Sequence, residues 1–211
     1  MINIDPKTRS ERENYNFLTA SIIPRPVAFV TSLSDTGTLN GAPFSYFNIV
    51  SADPPMISLS IQRTNGISKD TARNILATKS FVVHITDEEN VEKINQTAAN
   101  YPPEVSEVKT IGLTPVPSLT VPVPGVLEAK IRLECVLEKH LELGEPGEIA
   151  CDFIIGKVTQ FHIDENIYDG KKGHIDSLGL AAISRLAGSN YAKLGETFVL
   201  HRPTFESEKG E

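Results

Sequence analysis

Residues 126–143 (VLEAKIRLECVLEKHLEL), 144–147 (GEPG) and 149–163 (IACDFIIGKVTQFHI) decide the fold. The first run sets Lys130, Arg132 and Glu134 between apolar residues, the alternation of a strand with one buried face. Gly144-Glu145-Pro146-Gly147 carries turn chemistry, and the second run returns at strand length. A long antiparallel hairpin of this kind is typical of a barrel, where closure removes exposed strand edges.

The chain on either side reads the same way. Pro26 to Ser32 is a strand, Ser34-Asp35-Thr36-Gly37 a turn, and Thr38 to Ala42 the returning strand. Met56 to Gln62 alternates apolar and small polar residues, and Ser80 to Thr86 is rich in β-branched residues. Helices are few. Asp70 to Thr78 places Ala72, Ile75 and Leu76 on one face. Thr86 to Asn100 opens on Thr86-x-x-Glu89, the pattern of a capping box. Ser177 to Leu186 reads as a third helix, ended by Gly188. Tyr101 to Pro124 holds six prolines, so it is neither helix nor central strand. It is expected to be an ordered functional loop or a cover for the barrel.

Bulk properties narrow the function. A chain of 211 residues with 40% hydrophobic residues can bury a large core, and 1–211 is read as one domain. The net charge of −7 repels phosphate backbones, so no nucleic-acid partner is expected. No apolar run approaches a membrane span, and the first residues lack the apolar stretch of a signal peptide, so a cytoplasmic location is expected. Cys135 and Cys151 lie in apolar runs and read as buried free thiols. The histidines are scattered without ligand spacing, so no metal site is expected. Asp35-Thr36-Gly37 is the tripeptide of aspartic proteases, but a hairpin turn explains it. Neither a Gly-x-Gly-x-x-Gly nor a P-loop pattern occurs.

Three constellations could carry chemistry. In Asn40-Gly41-Ala42-Pro43-Phe44-Ser45-Tyr46-Phe47-Asn48, small residues permit close approach to a flat ligand. Ser45 and Asn48 offer hydrogen bonds there, and the aromatics offer walls. The same composition also fits a strand with a proline-terminated edge. Lys69-Asp70-Thr71 precedes a helix, with Asp70 as the natural N-cap, and could seat a phosphate. Plain helix capping explains it equally well. Arg185 to Tyr191 reads as a helix C-terminus in which Arg185 could pair with an anion and Tyr191 border a ring.

Taken together and in this order, these segments resemble the flavin-reductase-like, FMN-binding split-barrel family. The matching residues are 23–32 (IPRPVAFVTS), Asn40 to Asn48, Lys69-Asp70-Thr71 with Asn74-Ile75, 81–85 (FVVHI) and Arg185 to Tyr191. The similarity covers the chain from Tyr15 to about Arg202. The resemblance implies a mainly β split barrel with a few helices, usually a homodimer with FMN at or near the interface. It places Ala42, Pro43 and Ser45 beside the flavin ring and ribityl chain, within a wall from Asn40 to Phe47 and Asn48. It places Lys69, Asp70 and Thr71 at the phosphate or ribityl tail, and Arg185 and Tyr191 over the cofactor. Arg25, in the first matched segment, joins the cofactor-binding set. Ala187 stands where the family often has glycine. The implied activity passes electrons from NADH or NADPH, bound transiently, through FMN to a flavin or other small acceptor. The alternative is a non-catalytic electron carrier or flavin-storage module. No residue is assigned a catalytic proton transfer.

Overall fold

The computed structural model describes residues 1–204. Seven strands form one sheet: β1 (Ala28–Leu33), β2 (Leu39–Phe44), β3 (Phe47–Ala52), β4 (Pro55–Gln62), β5 (Ser80–Ile85), β6 (Ile131–Glu145) and β7 (Glu148–Ile163). The order across the sheet is β2-β1-β5-β6-β7-β4-β3, and every neighbouring pair is antiparallel. Five helices accompany it: α1 (Glu11–Ser21), α2 (Asp70–Thr78), α3 (Val91–Gln96), α4 (Glu107–Thr110) and α5 (Ser177–Leu180).

β2 and β3 are the two edges of this order, yet only Ser45 and Tyr46 separate them in the chain. A link that short reaches about 10 Å at full extension. The two edges must therefore meet, and the sheet curls into a barrel. The Ser60 N–H donates to the Tyr46 carbonyl at 2.9 Å and holds this crossing against β4.

The long hairpin is the spine of the barrel. Pro146-Gly147 makes its tip, with Gly147 at φ 86°, as a turn with proline first and glycine second requires. β6 begins at Ile131, later than the sequence pattern indicates. Leu127 instead donates its N–H to the Thr114 carbonyl at 2.9 Å, which draws residues 127–130 out of the strand. Alternation in β4 buries Ile57, Leu59 and Ile61, which join Val30, Val83, Leu133 and Ile154 inside the barrel. Phe81 fills the interior opposite Gly156, where a Cβ would stand 2.3 Å from the Phe81 ring.

The proline-rich stretch covers the outer face of the barrel. Phe29 points outward and packs with Ile94, Val108, Leu113 and Val126, and Val82 packs with Val121 and Val123. Two buried polar residues fasten this cover. His84 donates from Nδ1 to the Phe29 carbonyl at 2.9 Å and accepts the Val126 N–H at Nε2 at 3.0 Å. Burial holds its pKa down to about 3, so it is neutral. The fully buried Glu134 carboxylate accepts the Leu119 and Thr120 N–H groups, each at 2.6 Å, and a 2.6 Å hydrogen bond from His162 Nε2. Burial pushes this carboxyl up, but the hydrogen bonds outweigh it and bring it to about 2.

Three helical expectations are corrected. Thr86 does not cap a helix; it continues the β5 edge, donating to Val27 and accepting from Ile183. Asp87 and Asn90 instead bond each other's main chains, and α3 runs only from Val91 to Gln96. The helix read over 177–186 is four residues long, because Ala181 turns left-handed and Ser184–Arg185 pairs with Arg25–Pro26. Lys69, not Asp70, is the N-cap of α2, and no side chain caps it. α1 was missed, although Ser10-x-x-Glu13 forms a complete capping box.

Two measurements test this packing. Gly156→Val should lower the unfolding free energy in a denaturant titration by about 1–3 kcal/mol or more, because Phe81 has no room to yield. The Glu134 carboxyl titrates at about 2 in the folded chain against an ordinary 4.5. Its contribution is therefore complete above the ordinary value and is lost as pH falls toward 2. Glu134→Gln should flatten the acid limb of a stability-against-pH curve.

Candidate flavin site

Two clefts flank the chain segment 40–48. The first, about 400 Å³, is bordered by Asn40, Ala42 and Pro43 on β2, by Lys69, Asp70 and Thr71 at the start of α2, and by residues 97–101 and Pro103. The second, about 380 Å³, is bordered by Arg25, Ser45, Tyr46, Phe47 and Asn48, with Ser58, Ser60 and Phe153 opposite. Ten of the sequence-derived site residues thus gather around one stretch of chain, divided between two adjoining clefts.

Side-chain partners fix the floor of the first cleft. Asn40 is buried and fully committed: its amide donates to both Glu107 oxygens, at 3.0 and 3.1 Å, and its carbonyl accepts from the Thr71 hydroxyl at 2.8 Å. Glu107 also accepts the Gly41 N–H at 3.1 Å. Burial pushes the Glu107 carboxyl up. The hydroxyl proton of Thr71 and both ends of Asn40 are therefore engaged within the protein.

The mouth of that cleft is different. α2 has nine residues and no side-chain cap, so its first N–H groups have no side-chain partner at its positive dipole end. The Asp70 carboxylate pairs with Arg73 one turn on, which removes the like charge that would oppose an anion. Lys69 is exposed and has no ion-pair partner among the described residues. Cation, free N–H groups and dipole coincide as an anion seat.

The second cleft suits a flat ring with polar edges. Arg25 is buried; its Nη1 donates to the Thr19 and Ile22 carbonyls at 2.8 and 2.5 Å, and Nη2 to the Leu186 carbonyl at 2.9 Å. Its Nε is buried and has no partner among the described residues. Phe47, Tyr46 and Phe153 supply apolar walls, and Ser45, Asn48, Ser58 and Ser60 supply hydrogen-bonding edges. Burial pushes the Tyr46 phenol up, so it stays a donor.

Arg185 and Tyr191 border neither cleft. They belong to a small sheet with Arg25–Pro26, in which the Arg185 guanidinium lies 4.5 Å from the Tyr191 ring centre. Gly188 takes the left-handed conformation in the turn between them, and Ala187 does not need it. The sequence reading missed Glu107, which bonds Asn40 across 67 residues. It also missed Asp152, a lone carboxylate in the apolar run of β7; that isolation was the available signal. Among the described residues no cluster of metal-ligating side chains occurs, and no helix is long and apolar enough to cross a membrane.

A closed antiparallel barrel of this order, with two clefts along segment 40–48, is a split barrel. The family comparison agrees: residues 20–179 match the model of the flavin reductase like domain, and the chain belongs to that family. Its fold is the family's split barrel. The chain is 56% identical to nitrilotriacetate monooxygenase component B from Bacillus cereus, whose crystal structure superposes with a TM-score of 0.92 over 95% of this chain and 98% of that one. The 2-nitrobenzoate 2-nitroreductase NbaA of Pseudomonas fluorescens superposes with a TM-score of 0.87 at 29% identity, over 99% of this chain and 100% of its own. The uncharacterized protein YwrF of Bacillus subtilis is 50% identical, covering 92% of this chain and 96% of its own length. The protein is accordingly a flavin-dependent oxidoreductase of the flavin reductase type.

The buried floor yields one prediction. Asn40→Ala leaves the Glu107 carboxylate without its two amide donors, and should cost about 1–3 kcal/mol of folding stability. Differential scanning calorimetry at neutral pH reads this as a lowered Tm.

Proposed function

We propose that the flavin is FMN and that the protein is an NAD(P)H-dependent flavin reductase. The observation that carries the cofactor assignment is the uncapped N-terminus of α2 beside the unpaired Lys69. This seat fits a terminal monophosphate, which FMN ends in. Lys69 and the first N–H groups of α2 would hold the phosphate. Ala42 and Pro43 would admit the chain that links phosphate to ring. The second cleft would take the ring, with Arg25 Nε, Ser45 and Asn48 at its polar edges and Phe47 against its face.

When bound, the flavin supplies the electron transfer itself. The protein's own part is to fix the ring, keep one face open to a donor and exclude water from the other. No side chain is assigned a proton transfer in this exchange. The nicotinamide donor would bind only transiently. The electrons would pass to free flavin or another acceptor, and the likeness to a monooxygenase component B supports a monooxygenase as the user of those electrons.

The same reading includes a homodimer. Phe47, Met56, Phe161 and Ile163 surround an apolar cleft of about 530 Å³, next to the ring cleft with which it shares Pro26, Phe47 and Asn48. Phe161 and Ile49 remain 50% and 76% exposed there. A second copy would cover this face. Arg185 and Tyr191, outside both clefts of their own chain, would close over the cofactor in that assembly. The free thiols of Cys135 and Cys151 support the cytoplasm as the location.

Lys69→Ala should weaken FMN binding about tenfold or more, by removing a charge-assisted contact. Equilibrium titration of both proteins measures it, and equal affinities would place the phosphate elsewhere. The activity is tested by NADH and NADPH oxidation with excess FMN, followed by loss of nicotinamide absorbance. Turnover dependent on flavin is expected with at least one nucleotide. Saturable FMN binding without turnover on either would instead support the carrier reading.

A further inference from the structure

Asp152 lies outside both clefts and makes no contact that the proposed reaction uses. Its carboxylate is fully buried on β7 and accepts four hydrogen bonds: from Arg63 Nε and Nη2 at 3.0 and 2.7 Å, from the Ser68 hydroxyl at 2.8 Å and from His140 Nε2 at 2.9 Å. Arg63 and Ser68 stand at the two ends of one tight turn. Within it Thr64 and Ile67 exchange main-chain hydrogen bonds at 3.1 and 3.0 Å, and Asn65 and Gly66 take left-handed conformations, φ 52° and 73°. This turn forms one wall of the first cleft and leads directly into Lys69.

Both ends of the turn are thus tied to one atom group on the barrel wall. The main chain at Arg63 is also fixed, its N–H donating to the Ala150 carbonyl at 2.8 Å. At the other end, the Ser68 carbonyl accepts from Arg73 of α2. Ser68 immediately precedes the N-cap, so its placement sets where Lys69 and the first N–H groups of α2 point. The side chain of Arg63 is held a second time, by Glu142 Oε1 at 2.5 Å on the neighbouring strand β6.

We infer that Asp152 is a positioning residue for the anion seat: through Ser68 and Arg63 it holds the α2 N-terminus and Lys69 in register with the barrel. It touches no ligand itself. A buried group that accepts from both ends of a loop preorganises that loop, and a preorganised seat loses less freedom when an anion binds. The inference rests on the reading of the first cleft as a phosphate seat.

The experiment separates the two. FMN and riboflavin share the ring and ribityl chain, and differ by the phosphate. Their dissociation constants are measured by fluorescence titration for the wild type, Asp152→Asn, Ser68→Ala and the double variant. The wild type should bind FMN more tightly than riboflavin. Each single variant should lower FMN affinity about tenfold while riboflavin affinity moves less than about twofold. The double variant should be little worse than either single one, because both remove the same link. Circular dichroism melting accompanies every variant, and Ser68→Ala, which leaves the Arg63–Asp152 pair intact, keeps the test alive if Asp152→Asn does not fold. An equal fall in both affinities, or no fall in either, would overturn the inference. A wild type that binds FMN no better than riboflavin would overturn the phosphate seat itself, and the inference with it.

Discussion

The link Ser45-Tyr46 is the constraint on which the rest depends. It joins the two edges of a seven-stranded sheet through two residues, so the sheet has no choice but to close. Closure puts the interior alternation of β4, β5 and β6 around one core. It also sets segment 40–48 along the seam, where each side of the chain opens onto a cleft. The family's flavin chemistry is thereby placed where backbone can approach a ligand, rather than on a flexible loop.

Three buried carboxylates then do the positioning that the barrel alone cannot. Glu134 fastens the proline-rich cover to β6, Glu107 fastens the floor of the first cleft to β2, and Asp152 fastens its wall to β7. Each accepts several hydrogen bonds, as a buried charge must. None is at the mouth of the anion seat. There the arrangement reverses: Asp70 is neutralised by Arg73, while Lys69 and the helix N–H groups are left available. Negative charge goes into internal links, and the positive charge of Lys69 stays exposed at the mouth of the first cleft.

Much of this was legible in the sequence. Alternation marked β4 and β6, β-branched residues marked β5, strand length marked β7, and Pro146-Gly147 marked the tip of the hairpin; β3 was not read as a strand. Two of the three motifs named nine residues that the fold brings to two adjoining clefts, Arg25 of the segment 23–32 is a tenth, and the third motif, Arg185 to Tyr191, lies outside both. What failed were local patterns overruled by strand pairing. Thr86-x-x-Glu89 has the letters of a capping box, but Thr86 is already paired with Val27 and Ile183. Residues 182–186 could extend a helix, but Ser184–Arg185 pairs with Arg25–Pro26 instead. The links from Asn40 to Glu107 and from Arg63 to Asp152 join residues 67 and 89 positions apart, and no local period records them. Asp152 did leave a trace, as a lone acid among apolar strand residues, whereas Glu134 read as one of the charged positions of an alternating strand.

The central claim is that the two clefts together hold one FMN. The most direct test is to load the purified protein with FMN, remove the excess by gel filtration and record the visible absorption spectrum of the protein peak. The account predicts the flavin absorption bands in the protein fractions at one equivalent per chain. A colourless protein peak, with all the flavin in the small-molecule fractions, would contradict it.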